Sequence, residues 1–128
     1  MKARREHRVP LSTAAISLLL KAAILRETDR RDAYVFRGAA PGKPLSIMSM
    51  TMVLRRMRQG HITVHGFRST FRDWAAEQTS VSNEVAEAAL AHVVGDKVEA
   101  AYRRGDLFEK RCKLMDAWGV FFVLPRTF

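Results

Sequence analysis

Apolar residues recur at helical spacing in six stretches of the chain, and two shorter runs read as strands. Ser12 stands where an N-cap belongs, and Ala15, Ile16, Leu19, Leu20, Ala23 and Ile24 then repeat at intervals of three and four, which predicts a helix to about residue 27. The pattern breaks at 28–31. Tyr34, Val35 and Phe36 form a strand-like run, followed by a loop over 38–44. A second helix is predicted from 46 or 49 to 58, with Met50, Val53, Leu54 and Met57 apolar against Arg55, Arg56 and Arg58, and Gly60 ends it. Further helices are predicted over 65–78, 82–92, 96–103 and 107–118, with Ser82 and Asp106 as caps and Gly95 and Gly105 as separators. The apolar run 120–124 reads as a strand. The expected fold class is mainly α with a small β component.

Composition narrows the picture. The 128 residues are 48% hydrophobic and 27% charged, with 7 Gly and 4 Pro, which fits a single packed domain and neither a disordered nor a fibrous chain. The net charge is +9, and 16 of the 22 cations are Arg, the side chain best matched to phosphate, so a polyanionic partner is expected. One Cys, Cys112, makes no intrachain disulfide, and four scattered His give no zinc framework; reducing, cytoplasmic conditions suit such a chain. No stretch approaches the ~20 apolar residues of a membrane span. Gly38 and Gly42 lack the spacing of a phosphate-cradling nucleotide loop. The basic lead-in, with Lys2, Arg4, Arg5 and Arg8, is a loose arm or half of a hairpin.

Candidate chemistry concentrates in three places. On a helix over 65–78, His65, Arg68 and Arg72 share a face, while Phe67, Phe71 and Trp74 occupy another stripe that anchors the helix. Arginine offers a rigid fork to two nonbridging phosphate oxygens, and histidine donates a hydrogen bond or handles a proton. His92 ends the next predicted helix, where it is either a capped helix end or a ligand group. Tyr102, beside Arg103 and Arg104, either fills core space or, with cations around its hydroxyl, attacks a phosphodiester.

Taken together, HGFRSTFRDWAAE, LAHVVGDKVEAAYRRGDLFEKR and LMDAW, in that order, resemble the C-terminal catalytic half of tyrosine recombinases of the phage and genomic-island integrase type. MKARREHRVPLS is similar to the hairpin and following helix of that group. The resemblance implies that Tyr102 is the nucleophile and is left as a 3′-phosphotyrosine. It implies that Arg68 clamps the scissile phosphate, that His65 assists proton handling, and that His92 binds a nonbridging oxygen. Lys2 matches the hairpin lysine that protonates the leaving 5′-hydroxyl. Arg72, Arg103 and Arg104 match family positions that serve as DNA-backbone contacts or salt-bridge partners, and Arg4 and Arg5 fall in the basic lead-in. The scheme needs no metal and no cofactor, and its partner is double-stranded DNA.

Members of that family carry a further catalytic arginine ahead of the hairpin lysine, and a separate core-binding domain. The resemblance therefore implies that residues 1–128 are the C-terminal part of an integrase catalytic domain, incomplete at its N-terminus, with weak or no activity alone. The alternative is a noncatalytic DNA-binding or oligomerisation remnant; a type IB topoisomerase shares the chemistry, but the island-integrase motifs disfavour it. The tail 119–128 is expected to support self-association as an added strand, as related recombinases exchange C-terminal segments.

Overall fold

A computed structural model of the chain describes residues 7–26, 28–92 and 107–124. Five helices are found among them: α1 (Thr13–Ile24), α2 (Ser49–Arg56), α3 (Gly66–Gln78), α4 (Asn83–Ala89) and α5 (Phe108–Val123). The chain divides into two compact units. One comprises Met1–Ala14 with Arg68–Phe128, the other Ala15–Phe67.

The first unit owns the hydrophobic core. Phe71, Trp74 and Ala75 of α3 fall at helical spacing on one stripe and are buried with Val85 and Ala86 of α4 and Leu114 of α5. Around them Trp118 and Phe121 extend an aromatic stack: the Trp74 and Trp118 ring centroids lie 4.9 Å apart, and Phe71 meets Trp118 edge-on at 5.3 Å. Arg111 is fully buried beside this core; its Nη1 donates to the Arg8 carbonyl at 2.7 Å, and Arg8 itself lies over the Phe108 ring. Burying so polar a group is tolerable only because its donors find acceptors.

Helix ends are set locally. Below α3 the Thr79 hydroxyl donates to the Ala75 carbonyl at 2.5 Å and accepts from the Val81 N–H at 3.2 Å, diverting the backbone out of the helix. Ser82 takes the N-cap position of α4 with extended backbone, as expected, although its side chain makes no capping hydrogen bond. At the other end of α4 the Ala91 N–H bonds the Ala88 carbonyl and the His92 N–H bonds the Glu87 carbonyl, with Ala91 in the left-handed region at φ 57°. This is a Schellman closure built without glycine. It stops the helix at Ala89, short of the predicted 92.

In the second unit α2 ends the same way. Arg58, at φ 58°, takes the left-handed position while the Arg58 and Gln59 N–H groups return to the Arg55 and Leu54 carbonyls. The stop therefore comes before Gly60. Leu54 is the buried residue of α2, and no residue of α1 is buried.

The expected β component is overturned: among the described residues the structure is helical, with no strand. Tyr34, Val35 and Phe36 pair with nothing; the isolated bridge beyond them joins Arg37 to Pro44, and Pro44 has no N–H with which to continue a ladder. The run 120–124 is the last turn and end of α5, because helical spacing carries Leu114, Trp118 and Phe121 onto the face that meets Phe71 and Trp74. Packing there overrides strand propensity. Of the tail expected to support self-association, 119–123 are thus helical and 125–128 lie outside the described residues. No described helix is long and apolar enough to cross a membrane.

Candidate functional site

Where α3 passes the end of α4, four side chains of the first unit form one hydrogen-bonded chain. Arg68 and Arg72, one helical turn apart on α3, point the same way because residues four apart share a face. The α4 closure folds the backbone back so that His92 returns over the last turn of its own helix.

Arg68 Nη2 donates to the Leu90 carbonyl at 2.5 Å and lies 2.8 Å from His92 Nε2. A guanidinium has no acceptor, so Nε2 accepts and the ring hydrogen sits on Nδ1. His92 Nδ1 in turn donates to Glu87 Oε2 at 2.6 Å. The other Glu87 oxygen takes the Arg72 Nε hydrogen in an ion pair. The Glu87 side chain is 16% exposed against 49% for His92, so the carboxylate lies beneath and the imidazole faces water. Hydrogen bonding from His92, ahead of that from Arg72 and its charge, holds the Glu87 carboxyl below its ordinary value, although burial opposes this.

The cluster carries two guanidinium charges against one carboxylate and is net positive at a half-exposed surface. Both Nη2 hydrogens of Arg68 are engaged. A two-oxygen anion that takes the guanidinium fork therefore replaces His92 Nε2 or the Leu90 carbonyl as an acceptor, which makes His92 and the anion neighbours on one donor group.

Of the residues singled out from the sequence, the structure brings Arg68, Arg72 and His92 together across 24 positions of chain. His65, the predicted first residue of the helix, is exposed and immediately precedes α3, which begins one residue later than expected; it falls in the second unit. Tyr102, Lys2, Arg4, Arg5, Arg103 and Arg104 lie outside the described residues, as do the helix predicted over 96–103, Asp106, Gly95 and Gly105.

Glu87 was invisible to the sequence reading. On a helix continuing to 92, about 100° per residue places Glu87 and His92 about 140° apart, on different faces. Only the early closure of α4 brings them together, and the available signal, a carboxylate one turn of chain before a helix-end histidine, is too common to stand alone.

Comparison with known proteins gives this arrangement its context. The prophage integrase IntA of Escherichia coli K12 is 32% identical over 120 residues, covering 92% of this chain and 28% of its own length. The prophage integrase IntZ of the same organism is 34% identical over 119 residues, covering 90% and 28% respectively. The chain is homologous to phage and prophage integrases. The integrase of Shigella phage Sf6 matches at 29% over 126 residues, 92% of this chain and 30% of the relative. The chain thus spans under a third of the length of the integrases it matches. No family model matches it, and no solved structure matches at a significant level.

Proposed function

We propose that residues 1–128 are a C-terminal part of an integrase catalytic domain of the tyrosine-recombinase type, and that it takes part in integration or excision of mobile DNA in the cytoplasm. The observation that carries this reading is the direct contact of Arg68 with His92, two cation-forming groups brought to one point in a chain homologous to integrases. Both lie in the segments whose motifs resemble that family.

In this scheme the Tyr102 phenol oxygen attacks the scissile phosphorus, a phosphotyrosine forms, and the bond to the 5′-oxygen breaks. Lys2 gives that oxygen its proton. Arg68 holds two nonbridging oxygens as charge builds in the transition state, His92 hydrogen-bonds one of them, and His65 moves the phenol proton. A 5′-hydroxyl of a partner strand reverses the steps, so no bond energy is lost and no external energy source is required. Arg103, Arg104, Arg4 and Arg5 contact the duplex backbone, and this contribution weakens as salt rises.

The test is a nicked suicide duplex, which loses its 5′-hydroxyl fragment on cleavage and traps the covalent intermediate. It is run on the chain alone and on the chain joined to the N-terminal remainder of an integrase relative. A denaturation-resistant protein–DNA adduct that disappears in Tyr102→Phe is expected in the joined form. No adduct in either form overturns the reading, and retained salt-sensitive duplex binding would then favour a noncatalytic DNA-binding remnant.

A further inference from the structure

Glu87 belongs to none of the recombinase-like motifs, yet its carboxylate holds two members of the cationic cluster, His92 and Arg72, at once. Its carboxylate accepts from His92 Nδ1 with one oxygen and from Arg72 with the other. Its backbone carbonyl also accepts the His92 N–H at 2.9 Å. Three constraints therefore meet on one residue: the ring's position, its tautomer and the direction of Arg72.

The tautomer matters most. An imidazole free to choose places its hydrogen on either nitrogen, and only one choice leaves Nε2 facing Arg68 as an acceptor. The Arg68 donor against Nε2 and the Glu87 carboxylate against Nδ1 fix that choice together, and losing the carboxylate frees the ring to turn away from Arg68. Arg72, tethered to the other oxygen, keeps the carboxylate from turning away. The ion pair of Arg72 with Glu87 is thus part of the support for His92 and is not available as a free backbone contact in this arrangement.

We infer that Glu87 is a positioning residue for the phosphate-binding cluster, acting through its two-sided hold on His92 and Arg72; the rate consequence rests on the transesterification reading above, the structural one does not. The ordinary role of such a residue, a mere brace between α3 and α4, would change folding stability without changing which ring nitrogen carries the hydrogen.

The experiment has two readouts. Nitrogen-15 shifts of the imidazoles are recorded on the chain at neutral pH, with His92→Asn used only to assign the His92 signals. The wild-type ring is expected to carry its hydrogen on Nδ1, and Glu87→Ala to move it toward Nε2, while Glu87→Gln, whose amide oxygen still accepts from Nδ1, keeps the wild-type form. The second readout is the adduct rate on the nicked duplex in the joined form. Glu87→Ala is expected to lower the rate at saturating DNA by about ten- to a hundredfold. The half-saturating concentration should move by less than about twofold, and Glu87→Gln should restore most of the loss.

A wild-type ring with its hydrogen on Nε2 overturns the inference, as does a Glu87→Ala chain with an unaltered tautomer or a defect confined to half-saturation. Should Glu87→Ala fail to fold, judged by its tryptophan emission, Glu87→Met, which fills the same space without an acceptor, takes its place in both readouts. Should no form make adduct, the transesterification reading falls while the tautomer still decides the hold of Glu87 on His92.

Discussion

His92 and Glu87 are joined twice: the His92 N–H closes on the Glu87 carbonyl at 2.9 Å, and the His92 Nδ1 closes on the Glu87 carboxylate at 2.6 Å. The backbone bond belongs to the cap of α4 and the side-chain bond to the cationic cluster, so the end of a helix and the shape of a site are the same event. Shifting the cap by one residue removes both.

Ala91 sits at the left-handed position of that cap with φ 57°, where a Cβ crowds the neighbouring carbonyl. Ala91→Gly relieves the crowding, and against the entropy that glycine adds to the unfolded chain it should stabilise the first unit by about 0.5–1 kcal/mol. Urea unfolding followed by tryptophan emission checks this through the midpoint; a midpoint unchanged or lower than wild type refutes it.

Stability should also depend on acid through Glu87. Its carboxyl is held below the ordinary 4.5 chiefly by the hydrogen bond from His92, so the unfolded chain binds its proton more readily than the folded one. The contribution is therefore complete above the ordinary carboxylate value and is lost as pH falls through the depressed folded one. Urea midpoints measured from neutral pH into the acid range should fall for wild type, and less steeply for Glu87→Gln. Parallel curves for the two chains would exclude this source.

How much of this was legible follows from what each signal encodes. The apolar stripe of Phe71 and Trp74 marks α3 to within a residue, because a long amphipathic period depends on the helix itself and on little else. Arg68 and His92 were recognisable as chemistry from residue type and motif. The closure at Ala91 was not, since alanine is the best helix former and gives no warning that it will take a left-handed turn. Glu87 was lost with it. Val120, Phe122 and Val123 have high strand propensity, and nothing local reveals that Trp118 and Phe121 have aromatic partners on α3 more than 40 residues earlier.

Gly119 lies within α5, where glycine is normally a liability, and the reason is its neighbour. A Cβ built there would stand 2.6 Å from the Ser12 Oγ and 2.7 Å from its Cβ, closer than real contacts allow. Gly119→Ala should therefore destabilise by about 1–3 kcal/mol through overpacking despite the better helix propensity of alanine. Combined with Ser12→Gly, which deletes both opposing atoms, the loss should be smaller than the sum of the two single losses. Additive losses in a double-mutant cycle on urea unfolding would show that Ser12 is not the obstacle.

The last turn of α5 tests whether aromatic packing, and not intrinsic preference, makes 118–123 a helix. Trp118 contacts Phe71 and Trp74 on α3 and Phe121 and Phe122 on its own helix, with centroids at 4.9 to 5.4 Å, so one ring ties the segment to the core. Trp118→Ala removes that tie and should cost about 3 kcal/mol, the lower end for a large aromatic because the ring is only partly buried. It should also lower the helical circular dichroism, since β-branched and aromatic residues released from packing have no reason to stay helical. Val123→Ala, at a position 68% exposed, keeps the rings in place and offers a better helix former, so it should leave both the midpoint and the helical signal nearly unchanged. If instead Val123→Ala costs as much as Trp118→Ala, the exposed face of α5 is covered by something, and the stack on α3 is not what holds the segment helical.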